Sequence, residues 1–216
     1  MGCSCSRETK DYEGLLQDGE TLLPYSEFNA DHMLEIHKRQ LSKDHKFTEK
    51  SWNKIASDLK FDPYDKCKMF YESFKTKEGN FLGINLTVLS IMMSKGSIEL
   101  KSRYIFELYD WEKTGFLKES SLENLISVML DLAIEKFPLL CKSLKSNSEL
   151  AEYISGLQVY KQKSLKKLSR DFLKDLGSLV AKESFTSFFT KECNRDMLTP
   201  TGLRLRTKDI GFNSRI

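Results

Sequence analysis

Five oxygen-bearing positions within one twelve-residue stretch carry the clearest chemistry in this chain. From Asp110 the sequence runs Asp110-Trp111-Glu112-Lys113-Thr114-Gly115-Phe116-Leu117-Lys118-Glu119-Ser120-Ser121. A loop of this length wraps calcium when positions 1, 3, 5, 7 and 12 supply oxygens and a glycine at position 6 makes the sharp turn. Asp110, Glu112, Thr114 and the Phe116 backbone carbonyl fall on the first four of those positions, and Gly115 falls on the turn. Position 12 calls for a bidentate Glu, and here it is Ser121. With Lys118 at position 9, the expected affinity is at best about millimolar, a weak or vestigial calcium loop.

Such a loop must hang between two helices. Ser97 is a natural N-cap for a helix over Ile98–Tyr109, with Glu99 favourable in its first turn. Beyond the loop, Leu122, Leu125, Ile126 and Met129 recur at helical spacing. The same layout repeats at 35-residue steps towards the N-terminus. A second loop is predicted from Lys75, after Met69-Phe70-Tyr71-Glu72-Ser73-Phe74, with Leu82 at position 8. A first loop is predicted from Gln40, with Phe47 at position 8 and Trp52 opening its exit helix. Asp62-Pro63 reads as the cap and first residue of the helix leading to Phe74. A fourth unit spans Phe172 to Phe189, with Leu173 at position 1 and Val180 at position 8. Neither lysines at Lys75 and Lys77, nor a single Asp44, nor Asp175 can replace the six to eight oxygens calcium takes.

The first residues carry a separate signal. Met1-Gly2-Cys3-Ser4-Cys5-Ser6 fits N-myristoylation at Gly2, with Cys3 and Cys5 placed for palmitoylation. One myristoyl chain binds membranes with a constant of only about 10⁴ M⁻¹, so a second acyl group is the expected partner signal.

Composition narrows the classes. The 216 residues are 40% hydrophobic and 30% charged, with a net charge of +3, which is ordinary globular usage and too little charge to imply nucleic acid. Five cysteines without framework spacing fit reduced thiols. No apolar run approaches a membrane span of roughly 20 residues. No phosphate loop, nucleophile elbow or zinc-protease motif is present, so a non-enzyme is expected. His32, His37 and His45 read as surface or helix-face residues.

The segment Met93-Ser94-Lys95-Gly96-Ser97-Ile98-Glu99 through Phe106-Glu107-Leu108-Tyr109-Asp110 resembles the linker and third EF-hand of neuronal calcium sensor proteins. It is similar also to calcineurin B-like and calaxin-like proteins. The resemblance covers roughly residues 28 to 190, without that family's Cys-Pro signature in the first loop. It implies an all-α chain of four EF-hand-like helix–loop–helix units in two paired lobes. The expected organisation is an acylated flexible arm over 1–27, a degenerate pair over 28–95, and a second pair over 96–190 with an insertion at about 131–168. A basic tail follows over 191–216, as groove occupant, partner-docking strand or disordered end. The implied role is a regulatory or scaffold protein with little or no calcium dependence, held at the cytosolic face of a plasma or ciliary membrane. Its partner would be a protein, through an amphipathic helix. The alternatives are a component of a cytoskeletal or axonemal assembly, and a weak calcium sensor using the third loop alone.

Overall fold

A computed structural model describes residues 11–141 and 147–212. The all-α expectation holds at that level: 70% of the chain is helical and 7% is strand. Gly2, Cys3 and Cys5 lie outside the described residues.

Four helix–loop–helix segments pair through two short ribbons. The first joins α2 (Ala30–Gln40) to α3 (Glu49–Asp58), the second α4 (Lys68–Glu72) to α5 (Gly83–Met93). Their strands β1 (Lys46–Phe47) and β2 (Phe81–Leu82) are antiparallel. The third joins α6 (Ile98–Tyr109) to α7 (Glu119–Asp131), the fourth α8 (Ser148–Leu176) to α9 (Lys182–Thr190). Here β3 (Phe116–Lys118) pairs β4 (Leu179–Ala181) with Leu117 opposite Val180, the two predicted position-8 residues. Two antiparallel strands satisfy each other's backbone groups where single loops could not.

Local sequence explains the helix starts. The Ser97 and Thr48 hydroxyls accept N–H groups three residues on, at 3.1 Å each, and cap α6 and α3. Asp62 does not open a helix. Its carboxylate accepts the Tyr64 N–H at 2.8 Å in a local turn, and α4 begins only at Lys68.

Pairing also corrects the second loop's register. Phe81, not Leu82, faces Phe47. Leu82 caps α5 as Thr48 caps α3 and Lys118 caps α7. The second loop therefore starts at Phe74, which spaces the first three loops by 34 and then 36 residues. Positive φ at the sharp turn agrees: His45 at 61°, Gly79 at 81° and Gly115 at 77° all take position 6 in this register. His45 holds that turn without glycine's freedom.

Three segments depart from the expected boundaries. Residues 12–27 are folded: α1 (Tyr12–Glu20) and a 3₁₀ turn (Pro24–Glu27) bury Leu16, Leu23 and Tyr25 completely or nearly so. The segment after α7 is a π turn (Leu132–Lys136) and a 3₁₀ turn (Phe137–Leu140), packed between α1 and α4. There Leu140 and the Cys141 sulfur come so close to Gly19 that a Cβ would lie 3.0 Å from the sulfur. The basic run 161–167 is not a separate insertion but part of the 29-residue α8. The expected tail forms α10 (Pro200–Phe212), whose Leu203, Arg204 and Thr207 are fully buried against α7 and α8.

An aromatic cluster fills the first lobe, with Trp52 within 6.3 Å of Phe47, Phe61, Tyr71 and Phe81 by ring centroid. Each fully buried ring of this kind removes roughly 150–250 Å² from water, which is what holds such short helices together.

Candidate functional site

The third loop closes on itself. One Asp110 carboxylate oxygen accepts the Thr114 N–H at 2.8 Å and its hydroxyl at 3.1 Å, and the other accepts the Gly115 N–H at 2.8 Å. Burial opposes ionisation of Asp110, but these donors outweigh it and hold the carboxyl below its ordinary range. The Thr114 hydroxyl lies 3.2 Å from the Phe116 carbonyl. Of the predicted ligands, the fold therefore brings together Asp110, Thr114 and the Phe116 carbonyl. Glu112 stands exposed, and Ser121 sits in the first turn of α7. Among the described residues no three His, Cys, Asp or Glu side chains converge as a metal-holding group. Three ligand groups, with both oxygens of the Asp110 carboxylate already accepting hydrogen bonds, fall short of calcium's six to eight oxygens.

A cation also sits beside this loop. Lys182, at the start of α9, donates its N–H to the Gly115 carbonyl at 3.3 Å, and its ammonium lies 2.8 Å from Glu107. Glu107 also takes Lys38 of α2 at 3.3 Å, so one carboxylate ties both lobes together. The His45 ring stacks on Trp111 at 3.5 Å between centroids, joining the first and third loops.

The other loops lack ion chemistry for different reasons. In the first, Ser42 accepts the Lys46 N–H and Ser51 lies within the Thr48 cap, so both are committed to the backbone. In the second, the corrected register puts the buried Phe74 ring at position 1, and Lys75 and Lys77 at positions 2 and 4. Lys136 donates to the Ser73 carbonyl at 2.6 Å with its ammonium 5.2 Å from the Phe74 ring centre. Lys75 turns instead to Glu72 at 2.9 Å, which holds its ammonium above the ordinary lysine range. In the fourth, α8 continues through position 4 to Leu176, leaving only Gly177 and Ser178 before β4. A two-residue connection cannot encircle an ion.

The most tightly built polar group lies elsewhere, and the sequence reading missed it. Arg204 of α10 is completely buried, and its guanidinium lies 2.8 Å from Glu13 and 2.9 Å from Glu20, both on α1. Tyr153 of α8 donates to Glu13 at 2.6 Å, and Arg204 donates also to Thr201 at 3.2 Å. Burial pushes the Glu20 carboxyl above its ordinary range, more than Arg204 pulls it down, while the two carboxylates keep Arg204 charged. This triad joins the two helices nearest the chain's termini across 191 residues of sequence. Its only signal in the sequence is the spacing Leu203, Thr207, Ile210 after Thr199-Pro200, a capped amphipathic helix with Arg204 beside its apolar face.

A second group is His37, read as a surface or helix-face residue; it lies on α2 and is fully buried. The Thr87 hydroxyl donates to the Gly83 carbonyl at 2.7 Å, so its oxygen accepts from His37 Nδ1 at 3.0 Å. That leaves Nε2 as a buried acceptor without a hydrogen-bond partner among the described residues. Burial lowers the His37 pKa to about 3.

Cys67 and Cys141 are buried thiols and Cys193 is exposed. The two buried ones donate to carbonyls of the N-terminal segment, Cys67 to Leu22 at 3.8 Å and Cys141 to Leu15 at 3.4 Å. No helix among the described residues is long and apolar enough to cross a membrane.

No protein-family model, curated protein or solved structure matches the chain.

Proposed function

We propose that the four helix–loop–helix segments are EF-hand units that have kept their pairing and lost their ion. On this reading the chain is a lipid-anchored regulatory or scaffold protein that binds a partner at the cytosolic face of a membrane without a calcium trigger. It is a binding protein rather than an enzyme. The observation that carries the calcium half is the state of the loops. The third offers three converging ligand groups, the second a buried phenyl ring, and the fourth a helix where ligands would stand. The position-8 pairing of Leu117 with Val180 supports the family reading.

Calcium opens sensor EF-hands by exposing an apolar groove for a partner helix. In this chain α10 lies in the second lobe against α7 and α8, held by the Arg204 triad. An amphipathic partner helix would then compete with α10 or dock on the outer faces. Membrane attachment rests on Gly2, Cys3 and Cys5, whose residue types meet the two-signal requirement for stable anchoring.

Calorimetry of the purified full chain with calcium tests the ion-free reading. No heat is expected at micromolar calcium, in the wild type or in Asp110→Ala. Micromolar binding abolished by Asp110→Ala would make the third loop a working sensor and overturn the proposal.

A further inference from the structure

The proposed anchor leaves open how the folded part meets the membrane, and α8 carries a surface fitted to that contact. Its buried face is formed by Leu150, Ile154, Leu157, Ser164, Leu168 and Phe172. On the opposite face, Lys163, Lys166, Lys167, Arg170 and Lys174 recur at three- and four-residue steps, and all five are exposed. They span about 16 Å of helix. Only Lys167 has a carboxylate partner among the described residues, Asp171 at 3.5 Å, and both side chains are about half exposed. Lys161, by contrast, turns off this face to Asp131 and Glu135. Two apolar side chains flank the stripe. Val159, one turn before Lys163, is 75% exposed, and Leu179, just beyond the end of α8, is 56% exposed. Asp171 is the one acidic residue within the stripe, and towards the N-terminal end of α8 the next on this face, Glu152, is three turns away from Lys163.

We propose that this stripe is a second membrane contact, binding the anionic lipid headgroups of the leaflet that holds the acyl chains. The inference rests on the lipid-anchored reading above. Charge complementarity favours a flat anionic surface. Four cations without a carboxylate partner among the described residues lie along one helix, with exposed Val159 and Leu179 at its margins. The path of the chain favours the same occupant. Tyr12 stacks on Tyr153 of α8 at 5.4 Å, so the N-terminal end of α1 lies beside this helix. Eight residues lie between Gly2 and Asp11, and the nine steps from one to the other have a contour of about 30 Å. The stripe begins only about 15 Å along α8 from Tyr153. On the lipid-anchored reading that contour is long enough for acyl groups at Gly2 and Cys3 to enter the leaflet on which the basic face lies. A single acyl chain gives marginal binding, and each basic side chain near an anionic surface multiplies it about fivefold.

Unacylated full-length protein, mixed with vesicles of pure phosphatidylcholine or with one-third phosphatidylserine, separates the stripe from the anchor. Sedimentation with the anionic vesicles alone is expected, weakening as salt rises. The variant K163Q/K166Q/R170Q/K174Q should lose at least about twentyfold in partition while keeping the wild-type thermal melt, because all four side chains are exposed. A control of equal charge change elsewhere, K43Q/K50Q/K60Q/K66Q, should bind like wild type. Absence of wild-type binding, or equal loss in the control, overturns the proposal, as does capture of an acidic protein by a chain that ignores anionic vesicles. Failure of the anchor reading would show separately, as native protein whose Gly2 carries no acyl group.

Discussion

Arg204→Ala should destabilise the protein by about 3–5 kcal/mol in urea unfolding at neutral pH, the usual cost of leaving buried charge uncompensated. The side chain is completely buried, and the substitution strands Glu13 and Glu20, whose side chains are only 16% and 10% exposed. The loss comes from desolvated carboxylates rather than from attraction forgone, and a second variant separates the two. E13Q/E20Q/R204M removes all three charges and should recover to within about 1–2 kcal/mol of wild type, as other buried ion clusters do when replaced whole. A loss below about 1 kcal/mol in Arg204→Ala would mean that water reaches the triad. The functional consequence lies in which helices it joins. α1 follows directly on the segment that carries Gly2, Cys3 and Cys5, and α10 fills the second lobe. On the lipid-anchored reading proposed above, displacement at the anchor would be coupled through this triad to α10.

Acid should weaken the first lobe through His37. Its folded pKa of about 3 lies far below the roughly 6.5 of an unfolded histidine. The unfolded chain therefore binds the proton and the folded one refuses it. The stabilisation is complete above about pH 6.5 and is lost as pH falls towards 3. Between pH 7 and pH 5 this one group should remove about 2 kcal/mol from the unfolding free energy. His37→Leu keeps an apolar side chain against Phe47, which meets the imidazole edge-on at 5.4 Å. In that variant the drop between pH 7 and pH 5 should shrink by about the same amount. Equal drops in the two proteins would place the imidazole in contact with water, against the geometry.

The helix-and-loop layout was legible because its signals are local. Ser97 as a cap, Gly115 as a turn and the apolar spacing of Leu122 to Met129 each act within a few residues. The second loop was misplaced by one residue because a loop's position 8 is fixed only by the strand opposite it, and Phe81 and Leu82 are both apolar. What stayed hidden depends on contacts distant in sequence. Nothing near His37 announces Thr87, fifty residues away, and Glu13 and Arg204 meet only when both ends of the chain fold. The expected flexible arm and basic tail came from composition, which counts Glu13, Glu20 and Arg204 as solvated charges. In the fold Arg204 lies within 2.9 Å of both carboxylates, and that pairing lets α1 and α10 pack into the core.

Membrane fractionation of native cells, with calcium and with a chelator, for wild type and Gly2→Ala side by side, tests the central claim most directly. Wild type should stay with membranes under both conditions, and Gly2→Ala should leave them under both. Release of wild type by the chelator would restore calcium as the trigger. Unchanged sedimentation of Gly2→Ala with microtubules would contradict lipid anchoring and place the protein in a cytoskeletal assembly.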